Sequence, residues 1–511
     1  MSRSVNVARN VKFSVICQVI VLLMSFLCRT VFIQQLGVEY LGVSGLFTNI
    51  LTVLSFAEMG IGDAIIYSMY KPIAQNDTEK LKSLMKFFKK AYTIIGITVF
   101  SLGICILPFL KYLISGDVNI KENISCIYLL FLLNVSISYF FVYKQSLINA
   151  YQKSYIVILY QTVVTVCMNI IQIIVLLISK NYILYLVIQI VCTIAINILL
   201  SVKADKEFQY IKERNAESIT VSEKVEIFKN IRALFVYKIG SVTLNGTDNI
   251  LISMLLGLTD VGVASNYQLL LNSIETILNK VKSSFIASVG NLNVTEGAQQ
   301  QYYVFKKMFM IIAWLYGLCS IGIMLHANSL IKLWIGQSYS VSSLTLFALT
   351  LNFYVTGVHS VSFTYRTTLG LFRQGQFAPV VATVVNIVLS VILAKQMGLA
   401  GIFLATPISR ILGMGIFDPV LIYKSFKKNP LKYYVMYIAY AACFLAIYFI
   451  IYYIMSHMQC KTIMDFILQV LITTVIYNAL MVLIFGQSKM FKEVLSAVWN
   501  YIRSKMFNDY R

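Results

Sequence analysis

The chain has 511 residues, 59% of them hydrophobic and only 12% charged, with 42 Lys and Arg against 21 Asp and Glu. A soluble domain of this length carries about 25% charged residues to cover its surface, so water is excluded as the only solvent. The net charge of +21 does not indicate a nucleic-acid partner, because the basic residues stand in short segments between apolar runs and form no single stripe with interleaved aromatics.

Apolar runs long enough for about 30 Å of hydrocarbon recur along the whole chain. In chain order they predict fourteen transmembrane helices, near 11–35, 42–68, 91–113, 124–143, 155–178, 183–202, 233–257, 262–290, 308–326, 342–363, 377–395, 400–421, 433–455 and 464–485. The first run follows Arg3, Arg9 and Lys12, is too long for a signal peptide and has no small-residue cleavage site after it, so it is expected to remain as helix 1. With the N-terminus inside, 30 of the 42 Lys and Arg fall in cytoplasmic segments, 4 in external ones and 8 within spans. That bias satisfies the positive-inside rule for a multi-pass protein with both termini cytoplasmic. The nine cysteines show neither disulfide nor metal-ligand spacing and read as small buried hydrophobes. His326, His359 and His457 stand apart, near predicted helix ends or loops, so no metal site is expected. Pro379, Pro407 and Pro419 are expected to kink helices 11 and 12.

The longest polar connection, 203–232, follows helix 6 and divides the chain. The expected organisation is an N-terminal lobe at 1–202 (helices 1–6), a cytoplasmic linker at 203–232, a C-terminal lobe at 233–424 (helices 7–12), and helices 13 and 14 with a cytoplasmic tail at 425–511. An internal repeat supports this division. At an offset of 220 residues QQLGVEYLGV (34–43) aligns with MLLGLTDVGV (254–263), matching Gly37 with Gly257, Gly42 with Gly262 and Val43 with Val263. FKK recurs at 88–90 and 305–307, and Tyr143, Lys144 and Leu147 are echoed by Tyr365, Arg366 and Leu369. Because six is even, both copies start on the same side, giving a parallel repeat about an axis along the membrane normal.

Transporters built from repeats bind substrate where the repeats meet, so polar residues are expected on one face of equivalent helices. On helix 7, Lys238, Ser241, Asn245, Asp248 and Asn249 share one face at about 100° per residue. On helix 1, Ser14, Gln18, Ser25 and Arg29 form a similar stripe, and the offset superimposes Gln18, Ser25 and Arg29 on Lys238, Asn245 and Asn249. Helix 8 carries Gln268, Asn272, Glu275, Asn279 and Lys282, which map onto Thr48, Thr52, Ser55, Met59 and Gly62 of helix 2. These stripes predict a central water-filled cavity walled by helices 1, 2, 7 and 8. An arginine within a span costs about 2.5–3.5 kcal/mol to insert unless it pairs or faces water. Arg29 and Arg410 are therefore candidate anion ligands, with Lys238 as an earlier contact, since a guanidinium receives phosphate through bidentate charge-assisted bonds. The alternative for Arg29 and Asp248 is an ion pair joining helices 1 and 7. Glu275, like Asp248, is a candidate for a coupling H⁺ or Na⁺, the alternative being a bond to Lys282 or another polar neighbour.

The segments LSFAEMGIGDAIIYSMYKPIAQND (54–77) and YKIGSVTLNGTDNILISMLLGLTDVGVASNYQ (237–268) resemble the polysaccharide-biosynthesis transporters of the multidrug, oligosaccharidyl-lipid and polysaccharide exporter superfamily, over essentially the whole chain. The resemblance implies an all-α fold of two six-helix lobes forming a V around a basic central cavity, plus two C-terminal helices. It also implies a flippase of the bacterial cytoplasmic membrane that moves undecaprenyl-pyrophosphate-linked oligosaccharide repeat units by alternating access, for capsule, exopolysaccharide or O-antigen synthesis. The substrate-binding set is then Arg29, Lys238, Asn245, Asp248, Asn249, Gln268, Asn272 and Arg410, with no cofactor. The implied partners are the lipid-linked glycan, membrane lipid, a glycan polymerase and glycosyltransferases. A lipid II flippase or a drug exporter of the same superfamily ranks lower, since helix 1 has one arginine and no carboxylate. A membrane glycan polymerase or ligase ranks lower still, because the external loops are short and sparsely charged.

Overall fold

The computed structural model describes residues 3–58, 61–115, 120–151, 153–212, 219, 220, 225, 246–295, 297–369, 371, 374 and 377–496, with 3–15, 56, 57, 63, 64, 67, 212, 283–288 and 290–295 described by backbone alone. Every regular element among these residues is a helix. In chain order they are α1 (Arg3–Leu36), α2 (Val38–Leu54), α3 (Ile61–Gln75), α4 (Thr78–Ile106), α5 (Ile124–Tyr139), α6 (Val142–Ala150), α7 (Ser154–Ser179), α8 (Tyr182–Glu207) and α9 (Asp248–Leu255). There follow α10 (Leu258–Thr295), α11 (Ala298–Trp334), α12 (Ser343–Thr368), α13 (Ala378–Met397), α14 (Leu399–Leu412), α15 (Met414–Ser425), α16 (Leu431–Ser456) and α17 (Ile463–Phe485).

Ten segments are long and apolar enough to cross a membrane, or eleven when α5 and α6, bent by 46°, count as one span. They coincide with eleven of the fourteen predicted spans. The other three are not presented as long apolar helices among the described residues. The run at 42–68 is broken into α2, a 3₁₀ turn at Ser55–Glu58 and α3. The run at 233–257 is described only from residue 246 onward, and α10 has Asn266, Gln268, Asn272 and Glu275 along its length. Of these, α2 is apolar but only 17 residues long, and in α10 polar residues that must avoid lipid interrupt the apolar run. Outside the polar stripes, side chains such as Leu23, Leu27, Ile178, Met464 and Leu483 stand exposed, as expected of a lipid-facing surface.

Helix ends follow local chemistry. Asp77, Asn123, Asn181 and Ser342 cap α4, α5, α8 and α12 through their side chains, and Thr462 with Asp465 forms a capping box at α17. Each satisfies backbone N–H groups that hydrocarbon would leave bare. The prolines divide. Pro407 and Pro419 lie inside α14 and α15, flanking the break at Gly413. Pro379 instead occupies the first turn of α13, where a missing N–H is harmless, so the kink expected there is not formed.

Packing divides the chain into two compact units: Met1–Leu269 with Gln376–Ile402, and Leu270–Gly375 with Phe403–Arg511. In the first, α1 lies along α7, α7 along α8, and α5 against both α4 and α8. In the second, α11 packs on α12, α16 and α17, and α12 on α15. Apolar lipid gives no hydrophobic drive for helix association, so close fit must do that work. In the second unit an added Cβ at Gly357 of α12 would lie 1.9 Å from the Tyr316 ring of α11, which shows how tightly that ring is seated.

The first unit also contains the repeat match. Gly37 and Gly257, equivalent at the 220-residue offset, both take positive φ, +95° and +109°, a conformation that opens the turn into α2 and into α10 and that favours glycine. Five residues on, Gly42 sits against the backbone of Leu258, and Gly262 against the backbone of Val38. Leu258 and Val38 are themselves equivalent at that offset. The two contacts are thus reciprocal, as a two-fold relation between repeat copies requires.

Candidate functional site

The first unit brings together the polar residues of α1, α9 and α10. Backbone contact at Gly42 and Gly262 holds the start of α10 close to α2. One and a half turns further, α10 presents Ser265 and Asn266. Arg29 of α1, half-buried, donates from Nε to Asn266 Oδ1 at 3.0 Å and from Nη2 to Ser265 Oγ at 2.7 Å. Asn266 is fully buried, and its Nδ2 donor finds no acceptor among the described residues. The ion pair considered for Arg29 and Asp248 is not formed: among the described residues Arg29 bonds only the neutral acceptors of Asn266 and Ser265. A guanidinium bonded to an amide and a hydroxyl keeps its whole charge, whereas one bonded to a carboxylate presents a neutral pair.

Beside it, Asn249 of α9 and Gln268 of α10 exchange amide hydrogen bonds at 3.3 and 3.0 Å. Asp248 and Asn249 are both buried. Ser115, just beyond α4, donates from its N–H to Ser253 O at 3.1 Å and from Oγ to Met254 O, while Ser253 Oγ donates to Leu113 O at 2.7 Å. These bonds tie the end of α9 to the chain following α4. On α2, Thr48 and Thr52 are exposed and bond back to the carbonyls of Ser44 and Thr48 at 2.7 Å, so they present a wettable surface with no unsatisfied donor.

Two charged clusters lie in the second unit. Glu275 of α10 accepts from Lys282 Nζ at 2.6 Å on one oxygen and from Tyr316 Oη of α11 at 2.6 Å on the other, and the same ammonium lies 5.3 Å from the centre of the Tyr316 ring. Both carboxylate oxygens are thereby engaged, which is the helix-bonding alternative foreseen for Glu275. The second cluster is deeper. Arg366 of α12 donates from Nη1 to Asp418 Oδ1 of α15 at 2.8 Å, and His359 Nε2 lies 3.1 Å from Asp418 Oδ2. Asp418 is fully buried and Arg366 is 1% exposed. Arg410 is buried too, lining a cavity of about 50 Å³ with His359, Gly415, Tyr433, Tyr434 and Tyr437.

The predicted site residues are therefore distributed. Arg29, Asp248, Asn249 and Gln268 share the first unit, whereas Asn272, Glu275 and Arg410 belong to the second. Asn272 is exposed on α10, and Lys238, Asn245 and Ser241 lie outside the described residues. Sequence reasoning missed Ser265, which continues the three-and-four spacing of the α10 stripe towards the N-terminus, and Asn266, which lies nearly opposite the stripe at about 100° per residue, and it misjudged two histidines. His359 is buried within α12, and His326 within α11, bonded to Thr473 at 2.8 Å. The signal for the Arg366–Asp418 pair was in the repeat: its equivalent Lys144 pairs with Asp205 at 2.7 Å in the first unit.

No protein-family model matches the chain, and no curated protein sequence matches it. Solved structures do. A lipid II flippase, MurJ, in an inward closed conformation shares 16% identity at a TM-score of 0.64, over 93% of this chain and 98% of that one. An inward-facing multidrug-resistance MATE-family transporter of the MOP superfamily shares 14% identity at 0.62, over 80% and 96%. A MOP-superfamily transporter from Pyrococcus furiosus, described as having a binding pocket of reversed polarity, shares 15% at 0.53, over 82% and 96%. The chain has the all-helical fold of these multi-pass membrane transporters.

Proposed function

We propose that the chain is a flippase that carries an undecaprenyl-pyrophosphate-linked oligosaccharide repeat unit across the bacterial cytoplasmic membrane by alternating access, supplying capsule, exopolysaccharide or O-antigen assembly. The observation that carries this reading is Arg29: a guanidinium within a membrane span, oriented by Ser265 and Asn266 and, among the described residues, neutralised by no carboxylate. Such a group is built to meet an anion that arrives and leaves. The Asn249–Gln268 pair and the Thr48–Thr52 face offer exchangeable hydrogen bonds of the kind sugars make. Lys238 and Asn245 complete the proposed ligand set. A glycan polymerase and glycosyltransferases would act on the same carrier, and both termini would lie in the cytoplasm.

Arg29→Gln is expected to lower transport about tenfold or more, the loss of one charge-assisted interaction worth about 1.5–3 kcal/mol, without lowering the thermal midpoint by a comparable amount. Accumulation of lipid-linked glycan in cells carrying only the variant is the measurement; a variant that supports normal surface glycan refutes the assignment.

A cation or drug exporter is the second reading, favoured by the MATE-family neighbours. It requires a carboxylate facing substrate, and the free charge on α1 is positive. Growth under toxic cations separates the two. The driving ion is proposed to be H⁺ or Na⁺, with Glu275 and Asp248 as its carriers. Glu275→Gln keeps a carbonyl for Tyr316 and loses the Lys282 pair, so a purely structural Glu275 predicts lower thermal stability with unchanged ion dependence of transport. A coupling Glu275 predicts loss of that dependence.

A further inference from the structure

Both units neutralise some lysines with carboxylates, the second pairing Lys282 with Glu275 and Lys307 with Glu493. In the first, Lys144 pairs with Asp205 at 2.7 Å, Lys82 with Glu79 at 2.7 Å, and both Lys153 and Lys203 with Glu207. The corresponding stretch of the second repeat, from the end of α15 into α16, contains Lys424, Lys427, Lys428 and Lys432 and no Asp or Glu between Asp418 and Asp465. Among the described residues, neither these four lysines nor Lys306 of α11 has a carboxylate within ion-pair distance.

Attraction to a helix C-terminus accounts for Lys424, and topology bias accounts for lysines at this end in general. Neither accounts for where Lys428 goes. The chain leaves α15 through a Schellman turn, with Lys427 at φ +55° and Lys428 N–H donating to Tyr423 O at 2.9 Å. A lysine in that left-handed position is disfavoured by about 1–2 kcal/mol relative to glycine. The turn sends Lys428 back over α11, where its ammonium lies 5.8 Å from the centre of the Tyr302 ring. Lys306 Nζ already lies 4.8 Å from the same ring. Tyr302 is held edge-on by Tyr423 at 5.5 Å and tilted against Phe426 at 5.9 Å, and both rest edge-on against Phe305 at 5.6 Å. The result is a rigid aromatic seat flanked by two like charges, an arrangement that an anion reaching both would stabilise.

We propose that Lys306, Lys428 and Tyr302 bind the phosphate of an anionic membrane lipid. The chemistry recognised is a phosphate, and the lipid is favoured as its source because the seat lies where one span begins, at α11, and where two others meet, at α15 and α16. That places it at headgroup depth, and the exposed Lys424, Lys427 and Lys432 of the same stretch add attraction toward an anionic surface.

The test uses the full chain in nanodiscs of phosphatidylcholine with a minor fraction of phosphatidylglycerol, reading retained lipid by native mass spectrometry after release. The Lys306→Gln/Lys428→Gln double variant is expected to retain at least about fivefold less phosphatidylglycerol. Lys428→Gln alone, which alters no packing, moves the same way. Tyr302→Leu also lowers retention with every charge kept, a result that bulk electrostatics would not give. Lys332→Gln/Lys461→Gln, with Lys332 at the opposite end of α11, leaves retention unchanged. Undiminished retention in the Lys306/Lys428 variant would overturn the site, as would equal loss in the Lys332/Lys461 control. Displacement of the lipid by inorganic phosphate at equal phosphate concentration would overturn the lipid as ligand.

Discussion

Gly42→Ala and Gly262→Ala are each expected to destabilise the protein by about 3 kcal/mol or more, although each adds a single methyl group. The new Cβ would lie 2.0 Å from Leu258 O in the first case and 2.3 Å from Val38 O in the second. Both obstacles are backbone carbonyls, which cannot rotate aside as a side chain would. Overpacking against movable neighbours costs about 1–3 kcal/mol, so a rigid obstacle sets that range as a floor. The helices must separate instead, and with them the start of α10 that carries Ser265 and Asn266 to Arg29. Gly322→Ala is the matched control: nothing lies within 4 Å of its added Cβ, and alanine is favoured over glycine in a helix by about 0.5–1 kcal/mol. Thermal unfolding in detergent reads all three. Equal midpoints for Gly42→Ala and Gly322→Ala would show that the α2–α10 contact is looser than described.

Asp418→Asn is expected to cost about 3–5 kcal/mol, because it removes the carboxylate charge that the buried Arg366 guanidinium bonds while His359 can supply no negative charge. Replacing both partners by apolar residues, Asp418→Leu with Arg366→Met, is expected to recover much of that loss, since the larger penalty comes from the stranded charge and not from the missing attraction. The ion pair of Lys144, the repeat equivalent of Arg366, behaves differently. Lys144 and Asp205 side chains are 18% and 25% exposed, so Asp205→Asn is expected to cost nearer the range of about 0.2–1 kcal/mol typical of solvated pairs. Chemical or thermal denaturation of Asp418→Asn and Asp205→Asn side by side gives the contrast. Equal losses would mean that burial does not set the energetics of these pairs.

What could be read without coordinates was whatever repeats or runs. Apolar runs located eleven spans that the fold also presents as long apolar helices, because hydrocarbon imposes one length on all of them. The duplicated GlyXXXXGly of 37–42 and 257–262 marked both a backbone conformation and a close helix crossing, and glycine is the residue that serves each. The polar stripe named Arg29, and the guanidinium bonds α10 through Ser265 and Asn266. It did not choose the partner. Charge suggested Asp248, but the guanidinium reaches Ser265 and Asn266, a choice fixed by how deeply Gly262 lets α10 approach and not by any periodicity. His359 looked isolated because its neighbours in space, Arg366 and Asp418, stand 7 and 59 positions further along the chain. The break between α2 and α3 was hidden inside a run that remains apolar on average.

The most direct measurement is unidirectional transfer of a fluorescent undecaprenyl-pyrophosphate oligosaccharide in proteoliposomes, comparing the natural chain, Arg29→Gln and Arg29→Lys. The expected result is transfer by the natural chain, partial transfer with lysine, which keeps the charge but loses the forked geometry, and near-complete loss with glutamine. Equal transfer by the natural chain and Arg29→Gln would contradict an anion-receiving role for the guanidinium held by Ser265 and Asn266.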